Sequence, residues 1–446
     1  MPKVLIVGGG VSGLSAAYYL NKAGVRPTLA ERAPHLGGVI RTSVQQGCVI
    51  EAGPDSFLAA KPWAMDLIRE VGLADEVIGS NDHLRVTYIL KHGKLVPLPD
   101  GLMMMVPTKI LPLLGTRLLS WGTKVRMGLE FLRQPPRAPL ADRSVYDFLL
   151  DHYGQESIDY LAEPLLAGVY GGDPREMSVN SVLARFVEIE TKYGSLTRGV
   201  LAAPRPKDSG SGSLFRTLKQ GLGQLVDKLA GSADVVHGAV ESLERSGPGF
   251  RARVNGDFIE ADHVVLATPA GEAASLLKPW NGNLAALLQS VPYKSSVTLS
   301  LAYRKDTFDH PLKGFGFLVP KRERKLVAAC TWVGNKFSYR VPDDKVLLRC
   351  FMGGDALNDS DESLVEAAQR ELRSIMGIQA VPVLHSIARW PSAMAQYTVG
   401  HEHRLRQIES IVQGIPGLHL AGNGYRGIGL PDCIKAGKDA ATRITS

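Results

Sequence analysis

Apolar positions at the start of the chain fit a buried parallel strand. Val4–Val7 is short, unbroken and largely β-branched, which predicts a strand covered on both faces. After Gly8-Gly-Gly10-Val-Ser-Gly13 the pattern changes to a helical face, Leu14, Ala17, Tyr18 and Leu20, ending near Gly24; Thr28–Glu31 predicts the next strand. Beyond Pro54 the pattern is mostly helical. Trp63–Val71 predicts an amphipathic helix closed by Gly72, while Val86–Leu90 and Lys94–Leu98 predict a hairpin turning at His92-Gly93. Ser144–Tyr153, Gln155–Leu166, Gly221–Leu229 and Asp361–Met376 predict helices. Val235–His237, Val240–Leu243, Phe250–Val254 and Phe258–Ala261 predict short strands, and a buried strand follows within Asp262–Ala270. Val297–Tyr303, Gly314–Val319, Leu326–Val333 and Val346–Gly353 suit a mixed sheet in a second domain. Near the end, Leu418–Asn423 is a strand closing in glycine, and a helix runs from about Asp432 to Ile444.

Three stretches punctuate this plan. Leu102–Leu132 holds Met103-Met-Met105, Ile110–Leu114 and Leu118–Trp121, interleaved with Arg117, Lys124, Arg126 and, just beyond, Arg133. It reads either as a surface dipping into a membrane headgroup layer or as a helical lid packed on its own domain, with methionines filling an irregular space. Pro135–Pro139 is a stiff connector, and Lys207–Ser213 is a polar, flexible loop. Ala167-Gly-Val-Tyr170-Gly171-Gly172-Asp173-Pro174 reads as a loop where backbone approaches a flat ligand, or as an ordinary helix-ending turn.

At 446 residues, 45% apolar and 21% charged, the chain is ordinary for a globular enzyme of two or three domains. A formal charge of +7 suits an anionic ligand or membrane surface, but no lysine or arginine block marks a nucleic-acid arm. Nucleic acid is therefore not an expected partner. Cys48, Cys330, Cys350 and Cys433 lack metal or redox spacing, so free thiols in a reducing cytoplasm are expected. With Met1-Pro-Lys3 leading straight into the first strand, no secretory segment is expected, and no uninterrupted apolar run reaches the ~20 residues of a spanning helix.

The first strand, turn and helix carry the clearest chemistry. Gly8, Gly10 and Gly13 fit G-x-G-x-x-G: a tight turn, room for a pyrophosphate, and close packing of helix on strand. The helix N-terminus can hold a diphosphate, and Glu31, 18 residues after Gly13, can accept adenosine ribose hydroxyls. The competing reading is a glycine-rich turn without a ligand. Leu418–Asn423 followed by Gly424-Tyr-Arg-Gly427-Ile428-Gly429-Leu-Pro431 offers a second glycine-preceded helix start.

Glu31-Arg32, then Gly37-Gly38 and Arg41, resembles the signature of FAD-binding amine-oxidase-like flavoproteins. There the second glycine loop and an arginine serve the cofactor diphosphate; otherwise Arg41 is a surface ion pair. Glu51-Ala-Gly53-Pro54 resembles the next part, near the flavin end, and the loop at Val240 resembles one that meets the adenine. More specifically, Glu51–Phe57, Glu163–Pro174, Gly314–Leu318 and Gly427–Ile434 resemble the protoporphyrinogen and coproporphyrinogen oxidase family over nearly the whole chain. Ala329–Trp332 and Ala395–His401 favour its Gram-positive-type branch, associated with coproporphyrinogen III.

The resemblance implies an α/β fold: a Rossmann-like FAD domain with an inserted mixed-sheet substrate domain and a helical subdomain. The expected divisions are FAD domain at 1–84, 216–292 and 406–446, helical and substrate insertion at 85–215, and mixed sheet at 293–405. It implies FAD held by Gly8, Gly10, Gly13, Glu31, Arg32, Gly37, Gly38, Arg41, Gly53, Pro54, Val240, Gly422, Gly427, Ile428 and Gly429. Arg85 matches an arginine that pairs with a substrate carboxylate, and is otherwise a surface residue. Gly168 matches backbone near the reacting ring system. Leu318, Thr331 and Phe351 match positions that sandwich pyrroles, although the family more often has an aliphatic residue at Thr331, and Leu318 and Phe351 also suit a plain core. The implied reaction takes hydride from a tetrapyrrole meso carbon to flavin N5 three times, with O2 reduced to hydrogen peroxide. Neighbouring haem-pathway enzymes and peripheral membrane contact are implied partners. No acid–base residue is assigned, and His401 and His403 read as structural. Other readings are a flavin amine oxidase, which needs an aromatic cage where only Tyr425 is offered, a carotenoid desaturase, or a non-catalytic carrier of the dissociation-inhibitor type.

Overall fold

The computed structural model describes residues 1–138, 140–202 and 213–446. Most of the Lys207–Ser213 loop, and Pro139 of the connector, lie outside the described residues. A five-stranded parallel sheet joins distant parts of the chain in the order Asp234–His237, Thr28–Glu31, Val4–Val7, His263–Leu266, Leu418–Leu420. Val4–Val7 is apolar throughout because both faces are covered. Val4 and Ile6 pack among helices Val11–Lys22, Pro62–Glu70, Gly223–Ala230 and Leu430–Thr445. Leu5 and Val7 face a second core under the antiparallel strands Val240–Ser246, Gly249–Val254 and Asp257–Ala261 and helices Ala270–Leu277 and Gly282–Gln289.

The second domain is built on a seven-stranded mixed sheet, ordered Leu384–Ala395, Tyr293–Arg304, Lys345–Gly353, Val327–Trp332, Gly316–Leu318, Thr87–Lys91, Lys94–Pro97. All neighbours are antiparallel except Gly316–Leu318 with Thr87–Lys91. The hairpin at 87–97, which the sequence grouped with the helical insertion, is thus hydrogen-bonded into this sheet. Among the elements not anticipated are the strand Leu384–Ala395 and the helix His401–Gln413, inside which the expected boundary at 405/406 falls. Helix Asp361–Met376 covers one face through Leu364, Ala368 and Leu372.

The helical part has its own core around Phe148, Tyr153, Leu161 and Leu166. Its helix continues from Gln155 through a π turn at Ile158–Ala162 to Tyr170. The loop expected from Ala167 therefore begins only at Gly171, whose φ of +61° closes the helix, and Gly168 lies on the last helical turn. Both readings of Leu102–Leu132 find support: Met105, Leu113, Leu118 and Met127 are buried in the helical core, whereas Leu111 and Trp121 are 82% and 69% exposed.

One buried polar cluster fastens the helices. His152 stands between Glu130 (2.8 Å) and Glu190 (3.1 Å), and Glu130 also accepts the Ser195 hydroxyl and the Leu196 and Thr197 N–H groups. Burial alone would raise both carboxyls; hydrogen bonds from these donors, and Arg143 at Glu190, outweigh it and leave both below their ordinary values. Carboxyls depressed on folding contribute stability above the unfolded value of about 4.3 and lose it as pH falls through the folded values. Thermal melting should therefore be steady near neutrality and fall below about pH 4. Glu130→Gln should cost about 1–3 kcal/mol at neutral pH by weakening the acceptor of several buried donors, and should flatten the acid limb of the melting curve.

Candidate active site

The site starts from the turn after the first strand. Gly8 has φ +103°, and a Cβ there would stand 2.9 Å from the Ala267 carbonyl oxygen. At Gly13 a Cβ would lie 1.9 Å from the Gly8 oxygen, so the helix can rest on the turn only as glycine. The first helical N–H to reach a backbone carbonyl is that of Leu14, bonded to Gly10 at 2.9 Å; those of Val11–Gly13 are the open donors of a helix start. Val11 and Ser12 line a cavity of about 1080 Å³, and a Cβ at Gly10 would meet no protein atom.

Glu31 closes the next strand. One of its oxygens accepts the Gly9 N–H at 2.6 Å and the other the Ala33 N–H at 2.8 Å. A carboxylate oxygen retains a further acceptor position, so Glu31 holds the glycine turn and still offers acceptors to a ribose. The Gly37 N–H bonds to the Gly9 carbonyl at 2.8 Å, laying the second glycine loop on the first.

Of the residues assigned to the cofactor, Gly8, Gly10, Glu31, Arg32, Gly37, Gly38, Arg41, Gly53, Pro54, Val240, Gly422, Ile428 and Gly429 line this cavity. Gly13 lies beneath it, and Gly427 is not among its walls. Arg41 has no carboxylate partner among the described residues and stands over Trp390, 5.1 Å from the ring centroid. Arg32 instead pairs with Glu272 at 3.0 Å on an exposed surface. Of the substrate positions, Gly168 and Phe351 are walls, whereas Arg85, Leu318 and Thr331 are not. Arg85 is exposed ahead of the Thr87–Lys91 strand. Leu318 is half-buried against the helical core, 3.4 Å from where a Cβ on Gly168 would sit. Thr331 is paired opposite Gly316.

Apart from Phe351, sequence reasoning missed the wall supplied by the second sheet. Lys294, Ser296 and Thr298 come from one strand, Arg349 and Phe351 from the next, and Trp390 and Met394 from the unanticipated one. The polar alternation Lys294, Ser296, Thr298 in an otherwise apolar strand was the readable signal. This sheet grips the turn after Glu51: the Ala52 carbonyl accepts from Thr298 Oγ1 (2.7 Å), Trp390 Nε1 (3.0 Å) and Arg349 (3.3 Å), and Arg349 also donates to the Gly53 carbonyl. Burial would raise the Asp55 carboxyl, but Lys336 at 2.9 Å and Arg349 at 3.8 Å hold it well below the usual range. Burial pushes the Glu51 carboxyl up despite its 3.1 Å pair with Arg340.

The walls fit an extended dinucleotide: a carboxylate at the ribose position, open helix N–H groups, side-chain-free glycine at the closest approach and an unpaired arginine. The volume lies just above the roughly 300–1,000 Å³ of a pocket for one small ligand. No histidine lines the cavity, and no metal-holding group of His, Cys, Asp or Glu occurs among the described residues. His401 is buried, bonded to the Tyr425 carbonyl at 2.9 Å and stacked on Tyr397, in keeping with a structural role.

Fold and site together define a flavin-dependent oxidoreductase of dinucleotide-binding architecture. The family described as flavin containing amine oxidoreductase matches residues 11–445, and the chain belongs to it. The coproporphyrinogen III oxidase of Bacillus subtilis is 32% identical, aligned over 98% of this chain and 97% of its own. The protein of that name from Propionibacterium freudenreichii is 33% identical, covering 99% and 90%. The chloroplastic protoporphyrinogen oxidase 1 of Arabidopsis thaliana is 28% identical, covering 99% and 88%. A crystal structure from Exiguobacterium sp. 255-15, assigned as a protoporphyrinogen oxidase, superposes with a TM-score of 0.89 at 30% identity, covering 100% and 98%. Putrescine oxidase, at 18% identity and a TM-score of 0.73 over 99% and 98%, shares the fold. The cofactor is FAD.

Two glycines separate folding from binding. Gly13→Ala forces helix and turn apart, and should lower both the melting temperature and the flavin content. Gly10→Ala places its methyl against no protein atom, so the apoprotein should melt as the parent does while the holoprotein loses flavin absorbance on dilution.

Proposed function

We propose that the chain oxidises a porphyrinogen, coproporphyrinogen III or protoporphyrinogen IX, to the porphyrin in haem synthesis. The reaction is three two-electron oxidations, with dioxygen as terminal acceptor and hydrogen peroxide as product. One observation carries this reading: a single cavity joins a dinucleotide-shaped end to a second end walled by Gly168, Phe351 and Met394, with cations at its rim. A flat, oily macrocycle bearing carboxylates matches that second end. When bound, FAD supplies the two-electron acceptor.

The chain's own part is placement. Arg349, Trp390 and Thr298 fix the Ala52–Gly53 turn where the two ends of the cavity meet. Phe351 and Met394 give an apolar face that excludes water, and Gly168 keeps side-chain bulk out of the slot. Loss of hydride from a carbon that gains ring conjugation calls for orientation more than for a strong base, which agrees with walls lacking histidine. An amine oxidase would need an aromatic cage, and Tyr425 is not a wall of this cavity.

We place the reaction in the cytoplasm, at a membrane surface. No helix among the described residues is long and apolar enough to cross a bilayer. Ile110, Leu111, Trp121, Val125, Leu129 and Leu132 are nonetheless all more than half exposed, and the exposed Arg117 and Arg126 stand among them. That arrangement supports an apolar face resting among anionic headgroups.

Two measurements test these readings. Purified holoprotein given coproporphyrinogen III or protoporphyrinogen IX without oxygen, then exposed to air, should develop porphyrin fluorescence and hydrogen peroxide together. Inertness toward both substrates would reject the functional reading. Vesicles containing anionic lipid should blue-shift Trp121 fluorescence and sediment with the protein, and Leu111→Glu should abolish both effects without loss of flavin. Sedimentation unchanged by that substitution would reject the membrane face.

A further inference from the structure

The rim of the cavity carries a segment that no part of the dinucleotide fold requires. Between the Gly316–Leu318 and Val327–Trp332 strands the chain reads Pro320-Lys-Arg-Glu-Arg-Lys325. A basic turn of this kind is usually a solvated, mobile surface. Here three carboxylates from separate elements fasten it. Glu163, on the helix that carries Gly168, accepts the Lys321 N–H at 2.9 Å and the Arg324 guanidinium at 2.8 Å. Glu323, within the turn, accepts the N–H groups of His92 (2.8 Å) and Gly93 (3.2 Å) at the tip of the neighbouring hairpin. Glu371, on the covering helix, accepts the Leu326 and Val327 N–H groups at 2.8 and 3.3 Å. Arg324 is further tied to the Val319 carbonyl at 2.9 Å.

The cations so positioned face the cavity. Lys321, Arg324 and Lys325 are among its walls, and Lys294 joins them from the Tyr293–Arg304 strand. Arg324 is committed to Glu163. Lys325 has no carboxylate partner among the described residues. Lys321 meets Asp173 at 2.9 Å and Lys294 meets Glu176 at 3.3 Å, both in water-exposed pairs that are weak and readily exchanged. The acids on this side of the wall are Glu163, Asp173 and Asp355, the first already holding the turn. Arg85, matched by resemblance to a carboxylate anchor, is not a wall at all.

The geometry points to the Pro320–Lys325 turn as the carboxylate-recognition element of the second ligand, with Lys325 and Lys321 supplied by the turn and Lys294 by the Tyr293–Arg304 strand. This deepens the porphyrinogen reading and rests on it. The turn sets a preference for a porphyrinogen bearing carboxylates on every pyrrole ring, coproporphyrinogen III, over protoporphyrinogen IX, which bears them on half of its rings. Such contacts lie away from the reacting carbons and are equally strong in ground and transition states, so they act on KM and leave kcat alone.

The test uses FAD-loaded enzyme with Lys325→Gln, the double variant Lys321→Gln/Lys325→Gln, and the charge reversal Lys325→Glu. The double variant should raise KM for coproporphyrinogen III about tenfold with kcat nearly unchanged, and should raise that for protoporphyrinogen IX less, so that discrimination shrinks; Lys325→Glu should go further. Direct binding of the product coproporphyrin III, followed by its fluorescence, should weaken with salt in the parent and respond less in the double variant. Flavin content and melting temperature should match the parent. Unchanged KM for both substrates, an equal rise for both, or a fall in kcat at constant KM would overturn the assignment. A parent enzyme that oxidises neither porphyrinogen would instead sink the functional reading, and the binding assay would still decide the role of the turn.

Discussion

A helix must be able to lie directly against the turn that precedes it. With Gly13 pressed on the Gly8 carbonyl, the N-terminus of the Val11–Lys22 helix reaches the edge of the parallel sheet and presents unpaired N–H groups to the cavity. One methyl group at that contact would lift the helix away, and the diphosphate position would go with it. The remaining cofactor features fall into register around this contact. Glu31 bonds to the Gly9 N–H, and Gly37 bonds to the Gly9 carbonyl, so the Glu31 carboxylate, first glycine loop and second glycine loop move as one unit.

The second dependency is the grip between domains. The Ala52 carbonyl takes donors from three strands of the seven-stranded sheet, and Arg349 extends the grip to Gly53. A half-buried carbonyl with three donors is a firm joint, because releasing it leaves several polar groups without their partners. It fixes one domain to the other at the cavity that Gly53 and Arg349 both line. Reactions that depend on distance between two bound molecules need such a joint.

What could be read from the sequence follows from how local each feature is. The dinucleotide half is written in contiguous residues, since backbone recognition needs glycines at fixed spacing beside an apolar strand. Its return at Leu418–Leu420 and the final helix were legible for the same reason. The strand Leu384–Ala395 was hidden by Arg389 and Pro391 and by polar residues suited to a sheet edge. Arg85 was matched by resemblance to a carboxylate anchor, yet it is not among the cavity walls, because a match along the chain does not say which surface of a fold faces the ligand. Of the rim cations, Lys321, Arg324 and Lys325 stand together in the sequence, but only the fold brings Lys294 to them and turns the group toward the cavity. Likewise Cys330 and Cys350, 20 residues apart in sequence, stand directly opposite on adjacent strands.

Those thiols bear on durability. The proposed chemistry releases hydrogen peroxide inside the molecule that makes it, so each turnover is a chance of self-inflicted oxidation. Peroxide attacks thiolate, not thiol. All four cysteines are buried, and Cys433, the one on the cavity wall, has its thiol pushed up to about 12 chiefly by burial. At neutral pH it stays protonated and chemically quiet, so the one cysteine on the cavity wall is poorly placed to be oxidised there.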